Sequence, residues 1–255
     1  MVAISKLVSG LFTAAASYTI SEHIAAFQGL TRCNISTNVG QLNLTPINNS
    51  LTPPTNTTPA FVGLAFGVQN YTCTQSNNFT NVGAVAELFD ISCLVNSTIF
   101  ETIQLPLFAA WDTFEGISIQ DFIEFFHEVN PPEVLAQHYF VTNPVTGQGV
   151  SPKWDFTSSG NPKFFGNSNA FIIGKTKATV PAPNAAVNVN WLDVVNVGGD
   201  VGGEIADEVF RVDTVGGQPP SSCVFGQTQD ISVKYTSKYW FFGGELGGPG
   251  TPEPF

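Results

Sequence analysis

Residues 60–73 read AFVGLAFGVQNYTC, and their alternation decides the fold class. Val62, Leu64, Phe66 and Val68 fall on one side of an extended chain, and Gly63, Ala65 and Gly67 on the other. A period of two with one nearly bare side predicts a strand whose thin face allows close sheet packing. From residue 137 onward, extended signals recur in QHYFVT, KWDF, AFIIGKTKATV, VNWLDVVNV, DEVFRVDTV and ISVKYTSKYWFF. NPVTGQG, PAPN, GGDVGG and GGQPP separate these β-branched and aromatic runs with turn-forming residues. No helices alternate with them, so the expected fold is mainly β, an antiparallel β-sandwich or barrel.

One helix interrupts the pattern, in SIQDFIEFFHEVNPP. Ser118 can cap it with Asp121 three residues later, and Ile119, Phe122, Ile123, Phe126 and Val129 repeat at helical spacing until Pro131 and Pro132. The spacing predicts an amphipathic helix over 119–129 that lays its aromatic stripe on a sheet, with Gln120, Glu124, His127 and Glu128 opposite. A helix that docks in a partner's groove is the competing reading.

At 255 residues, with 43% hydrophobic and only 11% charged residues, the chain can bury the core of one domain. Its 24 glycines and 17 prolines describe a turn-rich globule. The net charge of -11 opposes attraction to phosphate backbones and anionic lipid, which argues against nucleic acid as a partner. MVAISKLVSGLFTAAAS has an apolar run too short to cross a bilayer, so residues 1–17 read as a signal peptide. The mature chain is then expected to be secreted, extracellular or in a cell wall, without stable membrane insertion. Asn34, Asn43, Asn48, Asn56, Asn70, Asn78 and Asn96 each begin an N-x-Ser/Thr sequon, which agrees with export and N-glycosylation. The Asn/Thr/Pro-rich residues 18–59 read as a glycosylated leader wrapping a single domain over 60–243, and residues 244–255 as a Gly/Pro tail.

Cys33, Cys73, Cys93 and Cys223 lack the close spacing of a zinc or redox motif. In an oxidising compartment they imply two disulfides, with three pairings open. The last cysteine ends RVDTVGGQPPSSC, residues 211–223. On a strand, Arg211 and Asp213 would share a face with Val209; Gly216 and Gly217 permit a turn, and Pro219 and Pro220 stiffen the approach to Cys223. This arrangement reads as a structural clamp, with a ligand-binding or catalytic loop as the alternative.

His138 is the histidine best placed for chemistry, as a general base or ligand contact, although hydrogen bonding within the sheet would also explain it. Trp154 beside Asp155 and Trp191 beside Asp193 could stack and hydrogen-bond a sugar if exposed, whereas buried tryptophans would fill a core. Asp155, Asp193 and Asp213 could supply a glycosidase acid and nucleophile only at the right separation. H-E-x-x-H, G-x-S-x-G and Walker motifs are absent, so no metal or cofactor is implied.

GLAFGVQNYTC, QHYF, NVNWLDV, RVDTVGGQPPSSC and VKYTSKYWFF together resemble the secreted domain-of-unknown-function family 3455 of fungi and bacteria, over roughly residues 60–242. The insertion around 94–135, the Asn-rich leader and the sequons resemble its fungal branch. The resemblance implies pairing of Cys73 with Cys223, leaving Cys33 for Cys93, and implies no activity. Fungal members often carry the label malate dehydrogenase, but this chain lacks both G-x-G-x-x-G between a strand and a helix and a βαβ pattern; GGDVGG fits neither spacing nor context. That activity is therefore not expected. The leading expectation is recognition of a cell-wall polysaccharide or small molecule, using residues among His138, Trp154, Asp155, Trp191, Arg211 and Asp213. A hydrolase or lyase using His138 with Asp155 or Asp213, and a purely structural coat protein, are the alternatives.

Overall fold

The computed structural model describes residues 33–44, 51–129 and 131–247. The expected signal peptide, the sequon at Asn48 and residues 248–255 of the tail lie outside the described residues. Eight strands follow in chain order: β1 (Pro59–Cys73), β2 (Phe79–Asp90), β3 (Val134–Thr142), β4 (Val150–Asp155), β5 (Phe171–Val180), β6 (Trp191–Asn196), β7 (Glu208–Gly216) and β8 (Ile231–Phe242). Each pairs antiparallel with its chain neighbours, and β8 returns to β1 to close a barrel. Closure removes the two edge strands that an open sheet would expose.

The thin face of β1 explains how an eight-stranded barrel of such aromatic strands can close. Gly63, Ala65 and Gly67 face inward opposite Tyr239, Ser237 and Tyr235 of β8, so bare positions on one strand admit large side chains from its neighbour. A Cβ at Gly63 would lie 2.9 Å from the Leu88 side chain, and one at Gly67 would lie 2.5 Å from the Ala86 Cβ. Trp154, Phe156, Phe164, Tyr235, Tyr239 and Phe241 fill the interior.

The other face of β1 is also buried, against a second core outside the barrel. Val62 and Leu64 join Phe210, Val212, Trp240 and Phe242, and the leader covers them with Ile35, Leu42 and Leu51. The Cys33–Cys93 disulfide fastens that cover to the segment following β2. Cys73–Cys223 ties the end of β1 to the β7–β8 loop. There, Cys223 N–H donates to the Asn77 carbonyl at 3.1 Å and the Tyr71 hydroxyl donates to the Gly217 carbonyl at 2.8 Å. Gly216 and Gly217 take φ of +74° and +89°, the left-handed conformation the turn requires.

Two helices, α1 (Gln104–Thr113) and α2 (Ile119–Val129), lie outside the barrel. The α2 helix has its expected reciprocal cap: Asp121 N–H donates to Ser118 Oγ at 3.1 Å, and Ser118 N–H donates to Asp121 Oδ2 at 3.0 Å. Its Ile119, Phe122 and Ile123 pack with Val68 and Trp111. The α1 helix was not expected, because QLPLFAAWDT is apolar around its circumference and has no helical stripe. Tertiary bonds hold it instead. Trp111 Nε1 donates to the Gly67 carbonyl at 2.9 Å, and Lys234 Nζ donates to the carbonyls of Trp111 and Phe114 at 2.9 and 2.7 Å, at the helix's negative end.

Candidate functional site

Strand alternation places a polar cluster within the aromatic interior. His138 on β3 lies opposite Trp154 on β4, and the two rings stack with centroids 4.6 Å apart and planes 11° apart. His138 Nδ1 lies 2.9 Å from the Lys153 carbonyl, so Nδ1 carries the proton and Nε2 is left as an acceptor. Burial pushes the His138 pKa down to about 3; the hydrogen bond to Lys153 opposes this, and the positive charge of Arg211 adds to it. The imidazole is therefore neutral at physiological pH. It is poorly suited to acid–base catalysis, which works best with a pKa near the working pH.

Arg211 on β7 lies opposite Tyr239 on β8 and is the only arginine among the described residues. It is 8% exposed, and its Nε and Nη2 both donate to the Asn190 carbonyl, at 3.1 and 2.8 Å. No carboxylate among the described residues lies within ion-pair distance of it. Its charge also acts on Tyr71 and Tyr235, although burial is the larger influence and raises both phenol pKa values. Tyr235 and Tyr239 hydroxyls lie 3.1 Å apart, and the Tyr239 ring is 5.6 Å from both His138 and Trp154. Trp154 Nε1 and Ser237 Oγ are buried without a hydrogen-bond partner among the described residues. Orphaned buried donors cost free energy unless water or a ligand meets them, so this interior calls for hydrogen-bond acceptors.

The structure separates the sequence candidates by face. His138, Trp154 and Arg211 meet inside the barrel, whereas Asp155, Trp191 and Asp213 do not join them. The expected side-by-side Arg211 and Asp213 do not occur, because the β7–β8 register shifts between Val212 and Val215 and Asp213 takes φ +52°. That bulge turns Asp213 outward to Lys238 Nζ at 2.8 Å. Asp155 lies on the outer face of β4, 2.7 Å from Lys153 Nζ, and accepts a hydrogen bond from the Tyr139 hydroxyl at 2.7 Å. Burial opposes its ionisation, but hydrogen bonds from Lys153, Thr157 and Tyr139 outweigh that and hold its pKa low. Neither Asp155 nor Asp213 hydrogen-bonds His138. Trp154 and Trp191 are each 2% exposed, so neither offers a free face for sugar stacking.

Asp193 lies on the outer face as well, with Glu208. Lys177 Nζ bridges them, 3.1 Å from Asp193 Oδ2 and 2.6 Å from Glu208 Oε1. Burial and then the neighbouring Glu208 push the Asp193 pKa up to about 7, with Lys177 pulling the other way. The sequence reading overlooked Gln69, Tyr235, Ser237 and Tyr239 as site residues. Tyr235, Ser237 and Tyr239 alternate along VKYTSKYWFF, so their shared face was legible, but its inward orientation was not. Among the described residues no His, Cys, Asp or Glu cluster is arranged to hold a metal, and no helix is long and apolar enough to cross a membrane.

Together these features define a disulfide-clamped, eight-stranded antiparallel barrel with a polar cluster sealed among aromatic rings. The chain belongs to the family described as Protein of unknown function (DUF3455), whose family model matches residues 53–243. No curated protein and no solved structure matches the chain.

Proposed function

We propose that this is a secreted, N-glycosylated extracellular or cell-wall protein that recognises a carbohydrate or other small polar molecule through the polar side chains of its barrel. The observation that carries the reading is the buried Arg211 guanidinium, which among the described residues lacks a carboxylate while neighbouring interior donors lack acceptors. A ligand bearing carbonyl, carboxylate or hydroxyl oxygens would meet those donors, and His138 Nε2 would accept from a hydroxyl. The two disulfides and the exposure of Asn34, Asn43, Asn56, Asn78 and Asn96 support export. Binding is favoured over hydrolysis because His138 has no carboxylate partner among the described residues and burial pushes its pKa down to about 3.

The test is native mass spectrometry of the secreted protein, with thermal shifts against small sugars and small carboxylic acids. The expected result is a bound mass, or a rise in Tm with one class, that Arg211→Gln abolishes while circular dichroism shows the barrel intact. An interior holding water alone, with no shift across either class, would sink the proposal and favour a structural coat protein.

A further inference from the structure

We propose that the depression beside Asn56 seats an N-linked glycan, whose first N-acetylhexosamine packs over the seam where the barrel closes. The inference rests on the reading of the chain as an exported glycoprotein. A depression of about 400 Å³, within the roughly 300–1,000 Å³ range of small-ligand pockets, is lined by Asn56, Thr57, Thr58, Asp207, Gly243 and Gly244, together with Glu245. Its lining therefore includes both sequon residues that glycosylation uses, Asn56 and Thr58. In the transfer, the Asn56 amide nitrogen attacks C1 of a lipid-linked oligosaccharide. The N–C1 bond forms as the C1–O bond breaks, the lipid pyrophosphate leaves and the amide proton passes to a base.

Asn56 is set apart from the other described sequons. The side-chain amides of Asn34, Asn70, Asn78 and Asn96 are each engaged in a hydrogen bond, whereas that of Asn56 makes none among the described residues. None of those four lines this depression. The lining also fits a sugar. Gly243 and Gly244 take φ of +67° and +85°, leaving a floor of bare backbone, and a Cβ on Gly243 would strike the Asp207 carboxylate. Asp207 Oδ2 accepts from Gly244 N–H at 3.1 Å, and neither Asp207 nor Glu245 has a cation within ion-pair distance among the described residues. Thr57 Oγ1 is buried with no partner among the described residues. The two carboxylates repel anions, and together with the orphaned hydroxyl, which can accept as well as donate, they suit the hydroxyl and amide N–H groups of an N-acetylhexosamine.

The experiment is glycopeptide mapping of the protein secreted from a glycosylating host, followed by Tm measurement after two treatments. One endoglycosidase trims each glycan to a single sugar; an amidase removes every sugar. Asn56 is expected to be occupied, with Tm kept after trimming and lowered by roughly 2–4 °C after complete removal. Asn56→Gln should reproduce the fall and Asn78→Gln should not, while Asn56→Asp made without glycans controls for the charge the amidase leaves. An occupied Asn56 whose complete removal leaves Tm unchanged overturns the seat, as does a bare Asn56 beside other occupied sequons; either result leaves the glycoprotein reading standing. Secretion without sugar on any sequon overturns both.

Discussion

Outside the barrel, three aspartates each have a lysine: Asp155 lies 2.7 Å from Lys153, Asp193 3.1 Å from Lys177 and Asp213 2.8 Å from Lys238. Inside it, Arg211 has only the Asn190 carbonyl, and His138 is neutral. In a chain with 20 acidic and 9 basic residues, carboxylates are plentiful, yet none among the described residues reaches the interior guanidinium. Each of these outer aspartates has a lysine beside it, although Asp193 shares Lys177 with Glu208, and they account for themselves as local structure. The inner cluster keeps uncompensated donors, which is why the binding hypothesis attaches to it.

Replacing a tryptophan on either face offers the sharpest break of this contrast. Trp154→Ala should cost about 3–5 kcal/mol in urea unfolding, because it empties a filled interior and removes the surface on which His138 stacks. Trp191→Ala on the outer core should cost a similar amount but preserve any ligand-induced rise in Tm. Loss of that rise in both variants would mean that inside and outside do not differ in function.

The pH dependences of the two faces should have opposite signs. The folded pKa of His138 lies near 3, below its ordinary 6.5, so the unfolded chain binds more protons in that window and stability is lost as pH falls through it. Asp193 has a folded pKa of about 7, above its ordinary 3.8, so the folded chain holds the extra proton and stability is lost as pH rises from about 4 to 7. Asp193→Asn should remove the loss on rising pH, about 2 kcal/mol once the shift is discounted for solvent screening around the half-exposed Lys177, while His138→Gln should remove the loss on falling pH. Because the two windows overlap, the opposing slopes cancel in the parent protein between about pH 4 and 6.5 and stand alone only in the variants. Denaturation midpoints between pH 3 and 8 that keep the parent's profile in both variants would refute the assignments. The smallest expected effect is Lys153→Met, about 1 kcal/mol, because Asp155 keeps its Tyr139 and Thr157 hydrogen bonds. A loss of ligand response in that variant would show that the outer face contributes to binding.

Legibility followed the range of the interactions involved. Capping and periodicity exposed α2, whereas α1 depends on Gly67, Lys234 and Thr236, at least 44 positions from the groups they bond. The strand alternation of His138 with Phe140 and the opposite side of Tyr139 were readable. The bulge that divides Arg211 from Asp213 was not, because φ +52° at an aspartate leaves no mark on a period of two.

The sequence by itself determined the mainly β class, the thin face of β1, the capped helix and the four cysteines available for two disulfides, since each follows from local spacing and residue chemistry. Tertiary structure decided that the sheet closes into a barrel, that the thin face points inward, and that His138, Trp154 and Arg211 meet there. These outcomes depend on how β8 returns to β1 and on which side the aromatic rings can fill. Such pairings join residues more than 150 positions apart, and packing sets them where local preference has no reach.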